Sequence, residues 1–284
     1  MVAFPNAKIN LGLNVLRRRD DGYHDITTVM VPVDWCDVLE VVPSSSEHDR
    51  LFCTGHKIDC PPDKNLVMKA LRVMRMSPGI LIPPLDIYLH KNIPDGAGLG
   101  GGSADAAFLI KTVNQLMQLN LTDNQMVEMA AKVGSDCAFF IYNVPCVSEG
   151  RGEILKPIPW LDDVLKDYQA VIIKPENIAV STSQAYSSIR PCVPDNYPES
   201  ILKSPMSLWK DSLSNDFEKS DLIGPNAEGI KDILYNLDAE YSSLSGSGSA
   251  VYAIFKKNEL PSENTLRQYF PTEHINISKF VLNT

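Results

Sequence analysis

The chain has 284 residues, a formal net charge of −9, and 44% hydrophobic and 21% charged residues. That length suits one large domain or two of ordinary size, and the acid excess argues against a nucleic-acid partner, which calls for a basic footprint. No apolar run reaches the roughly 20 residues that span a bilayer, so no membrane partner is expected. The opening MVAFPNAKINLGLNVLRRRDD carries Lys8 inside its apolar part and reads as a strand, not a signal peptide. Cys36, Cys53, Cys60, Cys137, Cys146 and Cys192 make no C-x-x-C pair and lack histidines at zinc-like spacing. Reduced thiols in a cytoplasmic protein are the expectation, with no metal held by the protein itself.

Residues 7–16 alternate, with Ile9, Leu11, Leu13 and Val15 on one face and Lys8, Asn10, Gly12 and Asn14 on the other. Period two predicts a half-buried strand. Asp21-Gly22 signals a hairpin turn, TTVMVPV a second strand, and residues 34–42 a third. Residues 49–63 are loop-rich around a strand-like LFCTG. Residues 65–76 place Leu66, Ala70, Val73 and Met74 on one helical stripe. LDIYLHKNI is a strand leading into a glycine loop. Residues 103–119 then read as a helix, with Ser103 as N-cap and Asp105 suited to the positive end of its dipole. Thr122 and Gln125 form a capping box for a helix ending near Gly134.

Past Arg151-Gly152-Glu153 the texture changes. YQAVIIKP and AVYAIF read as strands, residues 183–189 and 230–237 as helices, and Ser245–Ser249 as a small-residue loop. Interspersed strands and helices favour α+β over a doubly wound sheet.

From Gly96 to Gly102, five of seven residues are glycine. Gly96-Ala97-Gly98-Leu99-Gly100-Gly101 fits the dinucleotide pattern G-x-G-x-x-G. However, Asp123, near the place of that motif's acidic residue, is better explained as the start of the next helix. No lysine follows the glycines as a Walker loop requires, and neither HRD nor DFG occurs. What remains is physical. Glycines let amide N–H groups turn inward and phosphates come close, and a following helix adds its dipole. A ligand-free turn is the competing reading, at a high cost in glycine entropy.

PDGAGLGGGSADAA resembles the P-x-G-x-G-L-x-x-[GS]-S motif of the GHMP small-molecule kinases. PNAKINLGLNVLRRRDDGYHDI resembles the opening of the branch that phosphorylates the 2-hydroxyl of 4-diphosphocytidyl-2-C-methyl-D-erythritol in the non-mevalonate isoprenoid pathway. DKNLVMKA, GSDCAFFI, SEGRGE, SNDFE and SLSGSGSAVYAIF follow in that branch's order. Asp95-Gly96-Ala97 replaces a more glycine-rich triplet, Asn6 stands where a small residue is usual, and residues 190–212 match nothing.

The resemblance implies a two-domain α+β fold. Residues 1–155 would form an ATP-binding domain with a mixed or antiparallel sheet and helices. Residues 156–284 would form an α/β-sandwich substrate domain whose last strand is free to pack back on the first, with the active site in the cleft between the two. It implies ATP as phosphoryl donor, Mg2+ carried on the ATP phosphates, a cytidine-diphosphate-linked methylerythritol as acceptor, and a monomer or weak homodimer. A kinase for another small alcohol, of the homoserine or mevalonate type, and a Rossmann-type oxidoreductase are the alternatives.

Residue by residue, the resemblance assigns the ATP phosphates to Pro94, Asp95, Gly96, Ala97, Gly98, Leu99, Gly100, Gly101, Gly102, Ser103 and Ala104, with Asn65 and Lys91 near the adenosine. Phosphoryl transfer needs positioning, charge stabilisation and a receiver for the hydroxyl proton. Asp136 lies between the helix ending at Gly134 and an apolar run. Its residue type and place favour an N-cap, whereas the family's G-x-D context makes it the general base. Lys8 by itself reads as a solvated edge lysine. The resemblance puts it beside the aspartate and the acceptor hydroxyl, where an ammonium offsets growing charge, and Asn10 on the same face is placed to hydrogen-bond the polyol. Tyr23 and His24 by themselves are loop aromatics. The resemblance gives them cytosine, Tyr23 by stacking and His24 by hydrogen bonds, with Tyr186 on the base's other face. The Ser245–Ser249 loop resembles the family's third glycine motif, on the acceptor side.

Overall fold

The computed structural model describes residues 1–58, 60–176, 182–221 and 223–282. Its strands are β1 (Val2–Ala3), β2 (Asn6–Arg18), β3 (His24–Cys36), β4 (Val38–Pro43), β5 (Arg50–Gly55), β6 (Leu85–Lys91), β7 (Cys146–Gly150), β8 (Ile154–Pro157), β9 (Tyr168–Lys174), β10 (Tyr241–Leu244), β11 (Val251–Lys256) and β12 (His274–Ser278). Its helices are α1 (Leu66–Arg75), α2 (Gly101–Leu116), α3 (Asp123–Val133), α4 (Cys137–Tyr142), α5 (Trp160–Leu165), α6 (Thr182–Ser187), α7 (Pro198–Ile201), α8 (Trp209–Ser212), α9 (Gly224–Asn236) and α10 (Glu263–Tyr269). They form two compact units. The first comprises Met1–Ala7, Trp35–Asp95 and Gly100–Asn143; the second comprises Lys8–Asp34, Gly96–Leu99 and Val144–Thr284.

The first unit holds a sheet of order β1-β4-β6-β5, antiparallel except where β5 runs parallel to β6. Its register sets Leu39 against Leu89 and Val41 against Ile87, and these side chains are buried, while the intervening Glu40 and Tyr88 are exposed. Helix α1 buries Val67, Ala70, Leu71 and Met74, one residue round from the predicted stripe: Leu66 and Val73 are only half-buried. Helix α2 packs on α1, α3, α4 and β4. The capping box at the start of α3 forms as expected, with Gln125 Oε1 accepting from Thr122 N at 2.9 Å, and Gly134 ends the helix.

Two expectations for α2 are corrected. Its N-cap is Gly100, in the left-handed conformation at φ 73°, and not Ser103, which lies inside the first turn. Asp105 does not serve the helix dipole at the surface; it is buried and paired with Lys91. The third strand expected over residues 34–42 is also interrupted, at Asp37. There a buried carboxylate accepts hydrogen bonds from the backbone of Asn92 and Ile93 instead of continuing the strand.

The second unit holds two sheets, β2-β3-β7-β8 and β10-β11-β9-β12, and Leu13, Val15 and Ile26 share a core with Ile173, Phe255 and Leu266. β2 and β3 are joined by the expected turn, with Arg19 N donating to Tyr23 O at 2.8 Å and Gly22 at φ 85°. β2 is not half-buried as its alternation predicts: from Asn6 to Val15 both faces are covered. The residues that match nothing in the family explain part of this. Cys192 N donates to Val15 O at 2.9 Å, and Ser214, which opens the SNDFE motif, accepts from Leu13 N at 3.0 Å. The unmatched segment and that motif together satisfy the free edge of β2. A Cβ on Gly12 would lie 2.5 Å from Leu213 Cδ1, which leaves room for nothing larger. At the far end of the chain, β12 pairs with β9 and Phe280 bridges Val33. Among the described residues no helix is long and apolar enough to cross a membrane.

Candidate active site

Helix α2, in the first unit, follows the glycine loop directly in sequence. Gly100 closes the helix with its carbonyl, which accepts from Ala104 N at 2.9 Å, and no side chain caps the end. The first amides of a helix have no intrahelical acceptor, and the dipole makes this end favourable for an anion. Gly102 is exposed there, with only Leu66 Cδ1 near its would-be Cβ, at 3.7 Å. Gly101 is different: a Cβ would meet Ile93 Cγ2 at 3.0 Å and Ile93 Cβ at 3.2 Å, so a side chain there needs Ile93 to give way.

Asn65 caps α1, its Oδ1 accepting from Val67 N at 2.9 Å. Lys91 is 4% exposed, and its Nζ donates to Asp37 Oδ2 and to Asp105 Oδ2, the latter at 2.6 Å. Burial works against the charge on Lys91, but the two carboxylates outweigh it and hold the ammonium above the ordinary lysine range. Asp105 is pushed up to about 7, by burial first and by the neighbouring Asp37 charge, against the pull of Lys91. Its Oδ1 is buried without a hydrogen-bond partner. Asp136 takes the residue before α4 with helical φ and ψ of −82° and −10°, and its side chain makes no cap hydrogen bond. The carboxylate is half-buried and is not spent on the helix end.

In the second unit, Lys8 and Asn10 are adjacent on β2 and almost fully buried, so Lys8 is not the solvated edge lysine its position suggests. Lys8 Nζ donates to Asn10 Oδ1 at 2.5 Å, and Asn10 Nδ2 donates to Thr28 Oγ1 at 3.0 Å. The loop residues Gly96–Leu99 are bonded on both sides. Lys8 N donates to Leu99 O at 2.9 Å, Ala250 N to Ala97 O at 3.0 Å, and Ser245 Oγ to Gly98 O at 2.9 Å. Gly98, at φ 75°, lies so close to Ser245 that a Cβ would sit 2.0 Å from its carbonyl oxygen. The small residues of the Ser245–Ser249 loop thus bring the two glycine-containing loops backbone to backbone.

The aromatic group is partly assembled. His24 stacks on Tyr186 with centroids 4.9 Å apart and planes 17° apart, and Tyr186 meets Phe217 edge-on at 4.9 Å. Tyr23 is 56% exposed and has the Arg151 guanidinium 5.1 Å above its ring. Burial, and then the charge of Arg18, lower the His24 pKa below the ordinary histidine value, so its imidazole is neutral at pH 7 and offers one donor and one acceptor.

Sequence reasoning missed the residues that hold these parts. SNDFE was matched as a motif without a role. Asn215 Nδ2 donates to Leu244 O at 2.9 Å and to Gly246 O at 2.8 Å, while Asp216 Oδ2 accepts from Val15 N at 2.8 Å. This turn therefore holds the Ser245–Ser249 loop and β2. Asp37 had no signal beyond a charge between two apolar strand segments.

The GHMP kinases N terminal domain model matches residues 65–144, and the GHMP kinases C terminal model matches residues 200–268. The chain is 46% identical to the 4-diphosphocytidyl-2-C-methyl-D-erythritol kinase of Bacteroides fragilis over 262 residues, covering 91% of this chain and 93% of the relative. It is 36% identical to the kinase of that name from Thermodesulfovibrio yellowstonii, covering 92% and 91%. A crystal structure of 4-(cytidine 5'-diphospho)-2C-methyl-D-erythritol kinase superimposes with a TM-score of 0.77 at 27% identity, covering 98% of this chain and 99% of that one. A crystal structure of mevalonate kinase superimposes with a TM-score of 0.75 at 13% identity, covering 100% of both chains, a likeness of fold alone.

Proposed function

The chain belongs to the 4-diphosphocytidyl-2-C-methyl-D-erythritol kinase family of the GHMP kinases, and on that premise we propose how its residues divide the work. The reaction moves the γ-phosphoryl group of ATP to the 2-hydroxyl of 4-diphosphocytidyl-2-C-methyl-D-erythritol, a step of the non-mevalonate isoprenoid pathway. Family membership removes the Rossmann-type oxidoreductase reading.

The loop from Pro94 through Ala104 holds the triphosphate by backbone amides, and Asn65 and Lys91 serve the nucleotide end. Asp136 Oδ accepts the proton as the 2-hydroxyl oxygen attacks phosphorus and the bond to the β-phosphate oxygen breaks. The Lys8 ammonium offsets charge on the transferred group, and Asn10, fixed by Thr28, orients the polyol. Tyr23 and Tyr186 stack on cytosine, and the neutral His24 hydrogen-bonds its edge. Magnesium would arrive on the ATP phosphates. Bound there, it supplies charge neutralisation. We place the reaction in the cytoplasm, carried out by a monomer or weak homodimer.

The observation that carries this reading is the start of α2. A helix that begins at a left-handed glycine with no side-chain cap offers its first amides to an anion, directly after the glycine loop. The test is ADP release with the cytidine-diphosphate polyol as acceptor, set against homoserine, mevalonate and the free polyol. Turnover is expected with the first alone. Comparable turnover with a simple alcohol would remove the cytidine assignment.

A further inference from the structure

The residues joining β6 to α2 are tied at both ends by one buried ionic group. At the entry, Asp37 is 0% exposed, and its Oδ1 accepts from Asn92 N at 2.7 Å and Ile93 N at 2.8 Å. Its Oδ2 accepts from Lys91 Nζ, the last residue of β6. At the exit, the same Nζ donates to Asp105 Oδ2 at 2.6 Å, on the second turn of α2. Between them, Gly101 packs so tightly that a Cβ would lie 3.0 Å from Ile93 Cγ2 and 3.3 Å from Lys91 Nζ. Two carboxylates and one ammonium thus fix where the glycine loop leaves the sheet and where it enters the helix.

We propose that Asp37 is a positioning residue for ATP, acting with Lys91 and Asp105 as a clamp that presets the amides of the glycine loop. This rests on the reading of that loop as the triphosphate site. A segment with three glycines at positive φ, Gly96, Gly98 and Gly100, has wide conformational freedom. Amides bind an anion well only if ordering them has been done before the ligand arrives. Stability alone is a poor account of such a group, because a buried ion pair roughly breaks even against apolar residues of the same size. Here one acid also stays short of partners, at Asp105 Oδ1. The arrangement costs free energy and delivers geometry. Lys91, committed to two carboxylates, then serves the nucleotide through the loop.

The test uses the full chain with two substitutions. Asp37→Asn keeps the shape, but whichever way its amide turns, either the loop amides or Lys91 lose their acceptor. Asp105→Leu leaves a neutral Lys91–Asp37 pair and cuts the tie to α2; it decides the matter if the first variant does not fold. Either variant should raise KM for ATP by roughly 10- to 100-fold, the loss of a hydrogen bond to a charged group. The acceptor KM should stay within about twofold. Hydrogen exchange at the amides of residues 92–101 should accelerate, a readout independent of turnover. Unchanged KM for ATP alongside faster exchange overturns the proposal, as do equal losses for both substrates, which mark a general loss of structure. A wild-type chain that binds no ATP analogue overturns the loop reading and the clamp together. Variants that match a binding-competent wild type overturn the clamp alone.

Discussion

Asp136 occupies a capping position, yet its side chain makes no cap hydrogen bond to α4. Asp136→Asn keeps the shape and removes the basicity, so kcat should fall by roughly the 10²–10⁴ of a lost general base while both KM values change little. Near-normal turnover in single-turnover assays would return Asp136 to a structural role. Asp105 allows a prediction with a sign. Its pKa is raised to about 7 by burial and by Asp37, against Lys91, with the Cys53 thiol also within its field. A carboxyl with a raised folded-state pKa contributes stability that is complete below its unfolded value and is lost as pH climbs through the folded value. Asp105→Asn is neutral at every pH, so its melting midpoint should gain on that of the wild type between about pH 5 and pH 8. A constant difference across that range would mean that Asp105 does not titrate there.

At the scale of elements, the start of α2 separates two neighbouring glycines that look alike in sequence. A Cβ at Gly101 would crowd Ile93 at 3.0 Å, so Gly101→Val disturbs packing as well as ATP and should lower the melting midpoint. Gly102 is exposed with open space, and Gly102→Val should keep the melting midpoint yet raise KM for ATP, since the branched side chain covers the amides. Normal ATP affinity in that variant would make the loop a structural turn. Helix α6 carries Tyr186 against both His24 and Phe217. Base stacking is worth about 1–3 kcal/mol, so Tyr186→Ala should lower kcat/KM for the cytidine-linked acceptor by roughly 5- to 150-fold, with Tyr186→Phe nearly silent. Because the ring also packs on the core, the alanine variant should melt earlier. Only a smaller loss with the free polyol than with the nucleotide-linked one would separate recognition from packing.

Local patterns made much of the molecule legible. The alternation in β2, the turn at Gly22, the capping box at Thr122 and the glycine loop each depend on residues a few positions apart, and each forms where expected. What stayed hidden depends on distant partners. Asp37 works on an amide 55 residues away, and Asn215 on carbonyls 29 and 31 residues away, so neither leaves a periodic trace. β2 reads as half-buried because the segment that covers its edge arrives nearly two hundred residues later. The whole chain still answers to its nucleotide. A ligand that binds only the folded state stabilises it by about 2.7 kcal/mol at a hundredfold excess over Kd. For a chain of this length that is a rise in melting midpoint of roughly 4–8 °C. A non-hydrolysable ATP analogue with magnesium should produce that rise and NAD should not, since the acidic residue a dinucleotide site needs is absent: Asp123 opens α3 instead. Equal shifts would mean a loop that takes any pyrophosphate, with specificity set elsewhere. No shift with either would leave the exposed amides of α2 without an anion, and the assignment of the triphosphate to this loop would fall.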